Sequence, residues 1–187
     1  VLMSAIASIK SGINIEDVLN AIPKIKSVEG RFERVGRIKN NSKVILDYAH
    51  TPDALKVCLL NIKEQFPDKK LNLLFGCGGN RDQNKRMKMG KIASIYADNI
   101  YLTDDNPRYE NPIKIRKDIK KGINAKKITE ISNRAIAISE AIKNLKSGDV
   151  LVVAGKGHEN IQEIDKKKIK FSDRKKILIE INKKNKS

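Results

Sequence analysis

The strongest restriction on the fold is an alternation of two periods. Short aliphatic runs at residues 43–47, 71–75, 99–102, 127–131 and 150–154 are separated by stretches whose apolar residues recur at helical spacing. Runs this short, bounded by turn residues, read as buried strands. Strands that alternate with helices make an α/β fold: a mainly parallel sheet with right-handed crossovers and helices on both faces. The helix boundaries are marked chemically. Thr51 is a predicted N-cap, with Pro52 at the first helical position and Asp53 near the positive helix end. Leu55, Cys58 or Leu59, Ile62 and Phe66 form the buried stripe of that helix. The next helix carries Met89, Ile92, Ala93 and Tyr96. Asn111-Pro112 opens another, stopped by Gly122, and Asn133 caps one that carries Ala135, Ile138, Ile142 and Leu145 and ends at Gly148. Residues 161–171 are expected to form a hairpin, and Ser172 to cap a final helix with Ile177, Leu178 and Ile181.

The first residues stand apart from this pattern. Residues 1–22 read as two short helices, one with Ala5, Ile6 and Ile9 on a face and a stop at Gly12, the other capped by Asn14 and ended by Pro23. So small a helical pair cannot bury its own apolar face, so it reads as the end of a domain whose bulk lies elsewhere. Residues 27–30 read as a linker, and 31–38 as a half-exposed strand with Phe32, Val35 and Ile38. The expected division is therefore 1–29 and 30–187.

In an open α/β sheet, ligands bind where strands exit into loops at one edge. The exits at Asp47, Gly76, Thr103 and Gly155 should share that edge, and the chemically rich segments all fall there. Residues 103–108, Thr-Asp-Asp-Asn-Pro-Arg, bring two acids, an amide and an arginine into one loop, which suits a ligand of both charges such as an amino acid. Residues 76–82 are glycine-rich before a helix, which favours close approach of an anion, but they match neither the dinucleotide fingerprint nor the phosphate-binding loop. Arg81 could pair with a carboxylate bidentately. Asp47 and His50 could meet a nucleotide, or Asp47 could cap the turn before Thr51. At 155–159, His158 and Glu159 exceed what a plain turn needs, and Glu159 could receive an ammonium group. No His/Cys cluster has metal-ligand spacing, and neither His50 nor His158 has an obvious nucleophile partner.

The formal charge is +17. The excess is mostly lysine scattered through helices and the tail, at 120–121, 126–127, 166–168 and 183–184, so it reads as solvated surface rather than a nucleic-acid site. No apolar run approaches the roughly 20 residues that cross a membrane. Cys58 and Cys77 are too few for a disulfide framework, which points to a reduced, cytoplasmic setting. Val1 is not an initiator residue, so the chain's true start is expected to lie upstream.

Taken together and in order, residues 30–35 (Gly-Arg-Phe-Glu-Arg-Val), 47–53 (Asp-Tyr-Ala-His-Thr-Pro-Asp), 75–79 with Arg81-Asp82 and Lys85-Arg86, 103–108, 155–159 and 171–174 resemble the carboxyl-terminal part of the Mur ligases, in particular the MurE type that adds the third residue of the peptidoglycan precursor peptide. The resemblance implies a Rossmann-like C-terminal domain that receives the amino acid, preceded by the last helices of a central ATPase domain up to about Glu29. It also implies ATP-dependent amide formation: the carboxylate of UDP-MurNAc-L-Ala-D-Glu is phosphorylated, and the acyl phosphate is attacked by an amine, with magnesium neutralising phosphate charge. The Asp-Asn-Pro-Arg pattern is the one associated with meso-diaminopimelate, and Arg108 can hold that ligand's second carboxylate with parallel N–H bonds. By the same resemblance Arg81, Asp105, Asn106, Pro107, Gly155 and Glu159 line the amino-acid pocket, while Arg31, Asp47 and His50 match positions near the nucleotide.

Asn80 and Met87 depart from the family, which usually has Asp and Pro there. The phosphate-binding loop, the modified lysine and the usual magnesium ligands of the central domain are not in these residues, so the chain is expected to be inactive alone, with no catalytic residue of its own. The alternatives are a lysine-adding or other Mur-type ligase, or, in another class, a non-catalytic basic α/β binding module.

Overall fold

The computed structural model describes residues 1–25, 28–124 and 128–186. Ser27 of the expected linker, and Lys126 and Lys127 with the start of the expected 127–131 strand, lie outside the described residues. The elements run α1 (Leu2–Lys10), α2 (Ile15–Ala21), a 3-10 turn at Ile22–Lys24, β1 (Glu33–Arg34), β2 (Lys43–Asp47), α3 (Pro52–Gln65), β3 (Leu71–Phe75), α4 (Asn84–Tyr96), β4 (Asn99–Leu102), α5 (Pro112–Lys120), β5 (Ile128–Glu130), α6 (Arg134–Lys143), β6 (Val150–Ala154), β7 (Ile161–Ile164), β8 (Lys167–Lys170) and α7 (Asp173–Lys186).

The main sheet has the order β1-β2-β6-β3-β4-β5. Every pairing from β2 to β5 is parallel, and only β1 runs antiparallel. Successive side chains point to opposite faces of the sheet as the pleat requires. Val150, Val152 and Ala154 of β6 join Leu73 and Phe75 of β3 and the apolar stripes of α3, α4 and α5 in one core. Leu151 and Val153 join Leu46, Leu74, α6 and α7 in the other. Both faces are thus covered, and β3 and β6 are buried along their whole length.

The expected caps form: Asn14, Thr51, Asn111 and Asn133 each accept from a backbone N–H of the following first turn. The main departure is at residues 31–38, where the expected strand shrinks to Glu33–Arg34. Phe32 there has φ 46° and donates its backbone N–H to the Asp47 carboxylate, which bends the chain out of the extended state. The last helix takes its register from Ser172, whose backbone carbonyl and Oγ accept from Lys176 and Lys175. At the other end, α1 buries no residue and α2 buries only Val18, so Leu2, Met3, Ile9, Ile15 and Leu19 remain exposed.

Candidate functional site

Parallel pairing sends the carboxyl ends of β2, β6, β3 and β4 to one edge of the sheet. Their exit loops surround a cleft of about 510 Å³, lined by Tyr48 and His50 from the β2 exit, Gly78 and Arg81 from the β3 exit, Asp105, Asn106 and Arg108 from the β4 exit, and Gly155 and Glu159 from the β6 exit. Lys85 and Asp82 reach it from the start of α4.

The loop after β4 is held open by bonds from three directions. Asp104 turns away from the cleft and pairs with Arg116 of α5, which also holds Glu130 at 2.7 Å. Burial outweighs that pairing and raises the Asp104 carboxyl above its ordinary range. Asn106 accepts on Oδ1 from Lys156 Nζ (3.0 Å) and from the Glu163 backbone N–H (3.0 Å), and donates from Nδ2 to Glu159 Oε2 (3.0 Å). Gln162 Nε2 donates to the Asp105 carbonyl at 2.7 Å. Arg108 has φ 54°, a left-handed conformation that a non-glycine residue adopts only when its surroundings compel it. Its backbone N–H bonds the Glu163 carbonyl, its Nε donates to Glu163 Oε2 (2.9 Å), and its Nη1 donates to the Gly79 carbonyl (2.8 Å).

Glycines at the strand exits allow this closeness. A Cβ on Gly79 would stand 2.0 Å from the Pro107 carbonyl oxygen, and one on Gly155, at φ 112°, would stand 2.7 Å from Asp105 Oδ2. Pro107 is therefore buried packing between the β3 and β4 exits, with its carbonyl accepting from Glu110, and it does not line the cleft. Asn80 suits its own place: it sits at φ 51°, and its Oδ1 accepts the Tyr109 backbone N–H at 3.0 Å.

Lys156 is fully buried, and its ammonium spends its three protons on Asn106 Oδ1, Glu159 Oε2 (2.9 Å) and the Ile161 carbonyl (2.7 Å). Burial alone would raise the Glu159 carboxyl, but Lys156, then Asn106 and Arg108, more than offset this and hold it below its ordinary range. Beneath the loop lies Arg134. It is fully buried, forks onto both oxygens of the equally buried Asp173 at 2.8 and 2.7 Å, and donates to the Ala154 carbonyl. Its remaining Nη1 has no hydrogen bond and stands 3.9 Å from Asp105 Oδ2. Sequence reading singled out none of Lys156, Gln162, Glu163 and Arg134 as site residues. The partners of Arg134, Gln162 and Glu163 lie far along the chain, 39 residues away for Arg134 and Asp173, and Lys156 joins Asn106 from 50 residues away although Glu159 and Ile161 are near it in sequence.

Three groups at the cleft keep unused capacity. Among the described residues, Arg108 Nη2, Glu159 Oε1 and the Asp105 carboxylate carry no hydrogen bond. A cationic donor and two acidic acceptors in one cleft match a ligand that carries both carboxylate and ammonium groups. Arg81 is exposed on the rim, and among the described residues its side chain bonds only the Asn80 carbonyl, at 3.3 Å.

The residues expected near a nucleotide form a neighbouring group. The Arg31 guanidinium lies 4.4 Å from the Tyr48 ring centre, and Tyr48 meets His50 at 4.6 Å and His158 at 5.4 Å. Asp47 is engaged locally: one oxygen accepts from the Phe32 N–H and the other from the Ala49 N–H. His50 and Tyr48 line the cleft, whereas Arg31 and Asp47 are not among its lining residues. Among the described residues no group of three or more His, Cys, Asp or Glu side chains is placed to hold a metal ion.

The profile of the Mur ligase glutamate ligase domain matches residues 30–157. A UDP-N-acetylmuramoyl-L-alanyl-D-glutamate–2,6-diaminopimelate ligase of Rickettsia conorii is 49% identical over 174 residues, covering 92% of this chain and 36% of that protein. The ligase of the same name from Buchnera aphidicola is 45% identical over 186 residues, 99% of this chain and 36% of that protein. A solved structure of a ligase with this name superposes with a TM-score of 0.78 at 36% identity, over 96% of this chain and 37% of that one. The chain thus spans about a third of the length of the relatives it matches.

Proposed function

Because this chain belongs to the Mur ligase family, we propose that it is the acceptor-binding part of a cytoplasmic, ATP-dependent ligase that joins meso-diaminopimelate to UDP-MurNAc-L-Ala-D-Glu. Residues 1–29 are the last helices of the central domain, and 30–187 the C-terminal domain. The start of the family match at residue 30 and the exposed apolar side chains of α1 and α2 support that division.

The observation that carries the substrate is Arg108. Its Nε and Nη1 are fixed by protein acceptors, and its Nη2 is left at the cleft. Diaminopimelate differs from lysine by a carboxylate at its far end, and a planar donor edge is matched to that group. Asp105 and Glu159 are the acids offered to the ammonium group of the far end, while the other amine, unprotonated, is the nucleophile; Asn106 braces Glu159. Arg81 supplies further positive charge at the rim. With lysine bound instead, Arg108 would lose its partner, and a site built to bond a group rejects an analogue lacking it by about 10²-fold or more.

The division of labour follows from the same geometry. The phosphoryl-transfer step yields an acyl phosphate on the UDP substrate and ADP; the acceptor amine then adds to the acyl carbon, and phosphate leaves. This chain's residues bind and orient the acceptor, so that its free amine meets the acyl phosphate in a fixed pose. Arg31, Tyr48 and His50 offer a cationic and aromatic surface for the nucleotide. Magnesium would neutralise phosphate charge; among the described residues no group of three or more His, Cys, Asp or Glu side chains is placed to hold it.

The test is ADP release by the full-length protein carrying this chain. It should require both UDP-MurNAc-L-Ala-D-Glu and meso-diaminopimelate, and the isolated 187-residue chain should release none. ADP release equal with and without an amino acid, or tight and saturable binding of RNA or DNA that survives raised salt, would overturn the reading.

A further inference from the structure

The β7–β8 hairpin is a separate two-stranded sheet, and its outward strand β8 is exposed throughout. On sequence it is an ordinary solvated hairpin. In the fold its inner strand is fastened along the β4 exit loop. Gln162 donates to the Asp105 carbonyl, the Glu163 N–H to Asn106 Oδ1, and the Arg108 N–H to the Glu163 carbonyl. An isolated parallel bridge joins Arg108 to Ile164. An ion pair adds to this seam: Glu163 Oε2 accepts from Arg108 Nε at 2.9 Å, with the two side chains only 31% and 20% exposed.

That contact decides which part of Arg108 a ligand meets. A guanidinium offers a carboxylate two bidentate edges, the side formed by Nε with one Nη and the end formed by the two Nη atoms. Glu163 takes Nε, and the Gly79 carbonyl takes one proton of Nη1. The donors left for an incoming carboxylate lie on Nη2, with the remaining Nη1 proton engaged only at 3.5 Å by the Asn106 carbonyl. Without Glu163, the Gly79 bond alone would not stop the planar group from turning about its long side chain, and an incoming carboxylate could take either edge.

We propose that Glu163 is a positioning and specificity-determining residue: by holding Nε of Arg108 it fixes the guanidinium end-on to the far carboxylate of the acceptor amino acid. The inference rests on the reading of Arg108 as the clamp for that carboxylate. Glu163 itself does not touch the ligand. It also keeps the local charge near balance, so that Arg108 is presented with its direction set in advance and little ordering is left to binding.

The experiment is a double-mutant cycle in the full-length protein, with diaminopimelate and lysine as alternative acceptors. Glu163→Ala should raise KM for diaminopimelate about tenfold while changing kcat much less, and should lower the preference over lysine by a similar factor. Glu163→Gln, whose amide oxygen still accepts from Nε, should recover most of the loss. In an Arg108→Ala background, Glu163→Ala should add almost nothing, because there is no guanidinium left to orient. KM for the UDP substrate should not move. If Glu163→Ala costs as much with Arg108 absent as with it present, the residue only docks the hairpin, and the inference is wrong; no effect of Glu163→Ala on KM overturns it equally. Failure of the underlying reading has a different signature: Arg108→Ala alone would leave the preference for diaminopimelate over lysine unchanged.

Discussion

Asp105 is an acid kept available by what lies under it. Its carboxylate carries no hydrogen bond among the described residues, and the cation nearest to it, Arg134, spends most of its donors on Asp173 and Ala154. A half-committed arginine below the loop allows a carboxylate to be buried at the cleft floor without being neutralised by a full ion pair. The arrangement makes Arg134 costly to remove. Arg134→Met strands Asp173, which is fully buried, and should destabilise the chain by about 3–5 kcal/mol, read from its urea unfolding midpoint. Adding Asp173→Leu should recover most of that loss; a single variant as stable as the parent would contradict the account. None of this was legible in the sequence. Arg134 follows the Asn133 cap and there reads as an exposed first-turn residue, because burial by α7 depends on packing between distant segments. Arg108, Asp105, Asn106 and Glu159 were legible, since strand exits restrict where a chain can carry ligand chemistry and since these types sit together within short loops. The side chains that brace them were not.

At the scale of elements, the site is a product of strand exits rather than of helices. The strands, their caps and the final hairpin could be read from alternating apolar runs and turn residues. The insertion of β6 between β2 and β3 could not, because parallel order is fixed by crossovers that leave no local mark. That insertion is what brings Gly155, Lys156 and Glu159 against the β4 exit. The short β1 was misjudged for a physical reason: Phe32 is pulled into a left-handed turn by Asp47, which apolar spacing does not reveal. The β3 and β4 exits lie close together, with the Gly79 N–H donating to the Asn106 carbonyl at 2.9 Å and no room for a Cβ on Gly79. Gly79→Ala should push the two exits apart and carry the Arg108 guanidinium away from its place, with a loss of about 10²-fold in kcat/KM for the acceptor. An unchanged value would mean that the loops give way without moving Arg108.

For the whole molecule, the charge of +17 sets a background rather than a function. It draws anionic substrates weakly and without direction, and the selective chemistry resides in a few side chains at one sheet edge. Under the proposed division, the exposed apolar residues of α1 and α2 would pack against a larger neighbouring body; the chain spans about a third of its relatives' length. Selection of the acceptor is the property proposed for this chain. Its most direct test is the ratio of kcat/KM for meso-diaminopimelate to that for lysine, measured in the full-length protein and its Arg108→Ala variant. The account predicts a strong preference for diaminopimelate that falls by about 10²-fold or more when Arg108 is removed, with UDP-substrate binding retained. A parent protein that uses lysine as well as diaminopimelate, or a variant that keeps the parent's preference, would contradict it.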